Sequence, residues 1–189
     1  TWAAICRKRY RSATAVPDNF ASLCYGPGMK FPMTIRIDQS DEYIFDNPAQ
    51  PGEWAVSGAS AFAGGDVDPE NLDGADKIAF ATAFMGTSGF GWSTFVIVQE
   101  IEAADFEAVV ETLADHFMAR YSAPSRDTAL TAAREEAGFA VSLCDHPLGT
   151  LLGIERSIGD DGVIEQFRIV DGQAESAHGA AWMPGESEG

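Results

Sequence analysis

Two adjacent segments with helical periodicity constrain the fold of this chain most strongly. The first covers residues 103–121, and its apolar positions fall on one stripe of an α-helix: Phe106, Val109, Val110, Leu113, Phe117 and Tyr121. Pro124 ends this helix, and Ser125 or Asp127 can cap a second one that runs to Asp145. Because the connection between the two segments is short, they are predicted to form an αα-hairpin that packs on a sheet.

Alternating and continuous apolar runs predict strands on both sides of this helical region. The run Thr94–Val98 is apolar on both faces, which is typical of a central strand covered on both sides. Tyr43–Phe45 is predicted to pair with the first strand as a hairpin, and a Gly-Asp-Asp-Gly turn predicts another hairpin near the end. The predicted strands are 31–37, 43–45, 54–56, 94–98, 150–158 and 163–170, and a short helix is predicted over 76–85.

The order of these elements predicts an α+β fold. We expect an antiparallel sheet of five or six strands, with the αα-hairpin and the short helix packed mainly on one face. The expected organisation is a single domain over residues 29–171, followed by a flexible acidic and glycine-rich tail over 172–189. Residues 1–28 are predicted to be an N-terminal extension outside the native domain, disordered or added upstream of Met29.

Charge divides the chain at the same boundary. Residues 1–28 carry four bases and one acid, a net charge of +3, whereas residues 29–189 carry 8 bases and 28 acids, a net charge of −20. Such an acidic body repels phosphate backbones, so nucleic acid is not an expected partner. No apolar run is long enough to span a bilayer, so no membrane partner is expected either. An acidic surface favours docking onto a basic patch of another protein. Self-association, including a homodimer, is a separate expectation.

Cys144, Asp145 and His146 are the densest group of reactive side chains. Cys144 is a candidate reactive thiol, and Asp145 and His146 could supply proton chemistry. The alternative is structural: Cys144 continues the apolar stripe of the second helix, and a helix C-terminus raises the pKa of a thiol. A single cysteine in the body fits a reducing cytoplasm, and the histidine and cysteine spacings match no zinc motif. No metal and no cofactor are therefore expected, and no catalytic residue is assigned.

Trp54, Phe90 and Trp92 are candidates for a ligand pocket because they lie close to glycines. Gly86, Gly89 and Gly91 surround Phe90, and glycines let a backbone approach a ligand closely. This turn leads from a helix into a strand, whereas phosphate-binding loops lead from a strand into a helix, so a nucleotide site is not expected. Core packing explains the same aromatic residues and is the favoured interpretation.

Four segments resemble one small bacterial family that is uncharacterised. The segments are Thr34-Ile-Arg-Ile-Asp, Pro51-Gly-Glu-Trp-Ala-Val-Ser-Gly, Gly89-Phe-Gly-Trp-Ser-Thr and Leu143-Cys-Asp-His-Pro-x-Gly-Thr. The resemblance covers about residues 29–170, and the family is catalogued as a domain of unknown function. It implies an accessory role in the maturation of a bacterial redox enzyme, and it implies no activity, cofactor or catalytic residue.

Two functions follow as hypotheses. The first is a cytoplasmic accessory or protein-interaction domain without a catalytic site. The second is a small-molecule-binding protein or enzyme, with a pocket formed by Trp54, Phe90 and Trp92 together with Asp145 and His146.

Overall fold

The structure is a computed structural model that describes residues 28–62, 69–159 and 162–170. The N-terminal extension up to residue 27, the predicted tail and the two central residues of the Gly-Asp-Asp-Gly turn lie outside these ranges. The described strands are β1 (Lys30–Thr34), β2 (Ala55–Val56), β3 (Phe84–Gly86), β4 (Trp92–Ser93), β5 (Phe95–Glu100), β6 (Leu151–Gly159) and β7 (Gly162–Ile169). The α-helices are α1 (Ser40–Ile44), α2 (Gly74–Thr82), α3 (Ala103–Arg120) and α4 (Arg126–Ser142), and short 3-10 helices cover Ala59–Phe62 and Pro69–Asn71.

The described strands form two antiparallel sheets, so the prediction of one sheet with five or six strands is wrong, while the α+β class is confirmed. The first sheet has the order β1-β5-β6-β7 and the second has the order β2-β3-β4. β4 and β5 are nearly continuous in sequence, but the chain leaves one sheet for the other at Thr94. There the Asp41 carboxylate accepts hydrogen bonds from the Thr94 N–H and hydroxyl, and the Ser93 hydroxyl lies 3.3 Å from Ile35 O.

The prediction of a second strand at Tyr43–Phe45 is wrong, because these residues lie in and directly after helix α1. β1 pairs with β5 instead, in a register that places Lys30 opposite Glu100 and Thr34 opposite Val96. The Asp38 carboxylate accepts a hydrogen bond from Ser40 N (2.7 Å) at the start of the helix. Tyr43 is 83% exposed, so the apolar triplet does not present one buried face. Three residues are too few for an apolar run to distinguish a strand from a helix.

The short helix predicted over 76–85 ends earlier, at Thr82, and Phe84 and Met85 belong to β3. β3 is the middle strand of the second sheet, and both side chains are fully buried. A strand that is covered on both faces has no alternation, so its sequence cannot be separated from the end of a helix by periodicity.

Helices α3 and α4 agree closely with their predicted limits. Five of the six predicted stripe residues of α3 are buried, and Tyr121 follows the helix as its C-terminal cap, half-buried. Ser125 caps α4 by accepting a hydrogen bond from Thr128 N. Ion pairs join the exposed faces of the two helices: Arg126 binds Glu111 and Asp115, and Arg134 lies 3.6 Å from Glu107.

Arg156 of β6 is a fully buried cation that joins three parts of the fold. Its Nε donates to Glu165 of β7 (2.6 Å), and the pair is 0% and 5% exposed. Its Nη1 donates to Phe80 O (2.9 Å) and Ala83 O (2.8 Å) at the C-terminal end of α2, and its Nη2 donates to Ser57 O. The guanidinium therefore satisfies carbonyls that the end of a helix leaves without partners.

Candidate functional site

The glycine-rich turn between β3 and β4 is folded around the side chain of Glu53. One carboxylate oxygen accepts hydrogen bonds from Ser88 N (3.0 Å) and Gly89 N (2.9 Å), and the other accepts one from Gln50 N (2.7 Å). A Cβ atom on Gly86 would lie 2.7 Å from the Glu53 carboxylate, so a larger residue there would displace this carboxylate. The backbone amides that could cradle an external anion thus already bind an anion of the chain itself.

Phe90 lies at the tip of this turn in a backbone conformation that L-residues avoid. Its φ of 51° is in the left-handed region, and Ser122 (φ 52°) is the other described non-glycine residue with a positive φ. The Asn47 side chain donates to Gly89 O (3.2 Å) and Phe90 O (3.3 Å), which holds the carbonyls of the strained segment. Strain of this kind persists only where surrounding contacts fix it, and it is concentrated at functional sites.

The Phe90 ring stacks on His116 of α3, with ring centroids 3.6 Å apart and planes 15° apart. The Tyr121 ring packs edge-on against His116, with the ring centroids 5.3 Å apart. All three rings are half-buried. We call Phe90, His116 and Tyr121 the aromatic surface. The two described non-glycine residues with positive φ therefore border one surface: Phe90 belongs to it, and Ser122 directly follows Tyr121.

His116 is neutral at physiological pH. Its pKa is lowered to about 4, first by burial and second by the positive charge of the nearby Arg120. A neutral imidazole stacks on an aromatic ring without a charge to desolvate, so the three rings of the aromatic surface are uncharged over the physiological pH range.

Trp54 and Trp92 pack against the same core cluster as Phe90. Trp54 meets Phe31 edge-on at 6.1 Å, and Trp92 stacks on Phe62 at 5.1 Å. The Trp92 ring also lies against Gly58, where a Cβ atom would approach it to 2.8 Å. Both indoles remain half-buried.

Cys144 belongs to a different cluster, together with Val96, Val98 and Leu152 of the first sheet. It is 2% exposed, and burial raises the pKa of its thiol to about 12, although the charge of Lys30 opposes this.

Asp145 is exposed and His146 is half-buried, and the His146 carbonyl accepts a hydrogen bond from Lys30 Nζ (2.7 Å). Lys30 begins β1, whereas Trp54 pairs with Met33 of the same strand. Lys30 and Met33 are three residues apart, which corresponds to about 10 Å along the strand.

The sequence did not predict the role of Glu53 in the turn, and it indicated no functional role for His116. An acidic residue shortly before a strand carries no local signal that it will bind amides 35 residues away. His116 lies at the edge of the α3 stripe, a position that is typical of a boundary histidine, and only the tertiary fold brings Phe90 onto its ring. Within the described ranges no cluster of histidine, cysteine and carboxylate side chains could hold a metal ion.

These features define a two-sheet α+β domain with an aromatic surface at the junction of the glycine-rich turn and α3. The sequence profile of the family of unknown function DUF6505 matches residues 29–182, so the chain belongs to that family. No curated protein and no solved structure matches the chain. In the part of the chain that the structure describes, every helix is too short or too polar to cross a membrane.

Proposed function

We propose that this chain is a non-catalytic accessory domain that binds a partner protein through the aromatic surface. The observation that carries the proposal is the strained backbone of Phe90, which places an aromatic side chain beside His116 and Tyr121. Glu53 and Asn47 hold the turn in this conformation. Aromatic side chains that are half-exposed on a fixed backbone are typical anchors of protein interfaces.

The partner we propose presents a basic segment to this surface. Residues 29–189 carry a net charge of −20, and this field attracts a basic partner and accelerates its association. An arginine or lysine side chain of the partner can lie over the ring faces of Phe90 or Tyr121 in a cation–π contact. The family resemblance implies the class of partner: a redox enzyme that is being matured in the cytoplasm of a bacterium.

A small-molecule site is the alternative, and the incomplete burial of the Trp54 and Trp92 indoles favours it. In that case the ligand would contact Phe90 and the two indoles. Asp145 and His146 would contribute only if the ligand extended along β1 to the Lys30 end.

Cross-linking in an extract of the source organism, with the full chain as bait, tests the proposal. Phe90→Ala should reduce recovery of a specific partner at least about tenfold, the effect of a typical hot-spot residue. Tyr43→Ala is the matched control, because Tyr43 is 83% exposed and lies outside the aromatic surface. Equal recovery with both variants would contradict the proposal. A stoichiometric small molecule in the native mass spectrum of the unmodified chain would favour the alternative.

A further inference from the structure

Strand β7 is an eight-residue edge strand of the first sheet. It pairs with β6 over eight consecutive positions, from Leu152 opposite Ile169 to Gly159 opposite Gly162, without a bulge. No described strand pairs with its outer edge. Natural edge strands are protected by proline, charged side chains, bulges or short length. β7 has no proline and no bulge and is not short, and its charges are limited to Arg168 and the inward-turned Glu165.

The backbone groups on the outer edge can be assigned from the hydrogen bonding. Val170 N donates to Leu151 O (2.9 Å), towards β6. Because the direction alternates along an antiparallel strand, the N–H and C=O groups of Val163, Glu165, Phe167 and Ile169 point away from β6. These four residues therefore offer four donors and four acceptors in a row.

Three exposed isoleucines lie around this edge, beside exposed polar residues such as Gln166 and Arg168. Ile158, Ile164 and Ile169 are 41%, 47% and 51% exposed, and they are three of the eight large apolar side chains exposed in the described residues. The Glu165 carboxylate is turned inward onto Arg156. Arg168 is thus the one exposed charged side chain of β7.

We propose that β7 pairs with β7 of a second copy of this chain, antiparallel and about a twofold axis at Gln166. This register uses all four outward residues, because Val163 faces Ile169 and Glu165 faces Phe167 of the second copy. It forms eight backbone hydrogen bonds, and it continues the four-stranded sheet into a sheet of eight strands. The proposed surface is separate from the aromatic surface and does not depend on its function.

The strand is self-complementary in this register, which is the reason to assign the edge to a second copy. Val163 and Ile169 make aliphatic cross-strand pairs, and Ile164 lies against the aliphatic stem of Arg168 of the second copy. Arg168 does not face Arg168, so no like charges oppose each other. A twofold axis makes each of these contacts twice.

Two variants of the full chain test the pairing by light scattering and native mass spectrometry. Ile169→Pro removes an outward N–H and leaves the β6 ladder intact, since proline is tolerated on the free side of an edge strand. Ile164→Lys places a cation opposite Arg168 of the second copy. We expect a dimer for the unmodified chain at about 100 μM and at least a tenfold weaker dimer for both variants. Ile37→Lys, at an equally exposed isoleucine (45%) outside the hairpin, should leave the dimer unchanged.

A cysteine cross-link tests the register without destabilising the fold. Residues opposite each other at a non-hydrogen-bonded site have Cα atoms about 4.5 Å apart, within the range that a disulfide spans. Gln166→Cys should therefore give a disulfide-linked dimer on mild oxidation, and Arg168→Cys should not. A monomeric chain at about 100 μM, or a dimer that none of these variants alters, overturns the proposal and leaves the edge to a strand of another protein.

Discussion

The imidazole of His116 lies parallel to the ring of Phe90, with 3.6 Å between the ring centroids. This contact joins the glycine-rich turn of the second sheet to the C-terminal half of α3, which are 26 positions apart in the sequence. The strained Phe90 backbone and the His116 imidazole are in contact. The turn conformation and the protonation of His116 should therefore both alter the free energy of unfolding. The first two predictions use this coupling.

Two substitutions at Phe90 separate the ring from the backbone strain. Phe90→Ala and Phe90→Gly both remove the ring, but only glycine adopts a φ of 51° without cost. The glycine variant should therefore be more stable than the alanine variant by about 1 kcal/mol, measured as the free energy of unfolding in urea. Equal stabilities would show that the turn relaxes once the ring is gone.

Acid should destabilise the protein through His116. The folded pKa of about 4 lies below the ordinary value of 6.5, so between these values the unfolded chain binds a proton that the folded chain does not. The contribution is complete above about pH 6.5 and is lost as the pH falls towards 4. After allowance for partial exposure, the loss should be about 1–2 kcal/mol.

His116→Phe is the variant that isolates this effect, because it keeps a ring against Phe90 and cannot titrate. Its free energy of unfolding should fall less than that of the unmodified chain between pH 7 and pH 4.5, and carboxylate titrations cancel in the comparison. An NMR titration that places the His116 pKa near 6.5 would refute the prediction.

Arg156→Met should lower the free energy of unfolding by about 3–5 kcal/mol, because it leaves Glu165 as a buried charge without its cation. The double variant with Glu165→Leu should recover part of this loss, since both charges are then removed together. Arg126→Met removes an exposed ion-pairing arginine and should cost less than about 1 kcal/mol. Similar losses for Arg156→Met and Arg126→Met would show that burial does not set the strength of the Arg156 contacts.

Cys144 should not react with thiol reagents in the folded protein. Its pKa of about 12 leaves almost no thiolate at neutral pH, and the side chain is buried. The test is alkylation of a chain in which Cys6 and Cys24 are replaced by serine, followed by mass spectrometry, with and without urea. Fast alkylation of the folded chain would restore Cys144 as a reactive thiol. Cys144→Ala should cost about 1 kcal/mol through the lost packing volume.

The extended regular elements could be predicted because their patterns are long. Helices α3 and α4 repeat an apolar position over four or five turns, and the β6–β7 hairpin contains an explicit turn sequence. The errors concern short segments. The apolar run Tyr43–Phe45 is compatible with a strand or a helix. Phe84 and Met85 show no alternation of apolar and polar residues, because both faces of their strand are covered.

The candidate site was predicted in part. The glycines and the aromatic residues near residue 90 are visible in the sequence, since a strained turn requires small residues around it. The roles of Glu53 and His116 are not visible in the sequence. A carboxylate that binds amides of a remote turn, or a ring that stacks on a remote ring, produces no periodic sequence pattern. Their roles depend on contacts between segments, which no local pattern encodes.

The sequence by itself therefore determined the α+β class, the two long helices, the terminal hairpin and the acidic character of the body. These properties follow from periodicity, turn residues and charge, which act locally or through composition. Only the tertiary structure decided that the strands divide between two sheets, that Arg156 is buried against a helix end, and that Phe90 meets His116. Pairing and stacking join residues far apart in the chain, and the free energy of those contacts is available only once the whole core is packed.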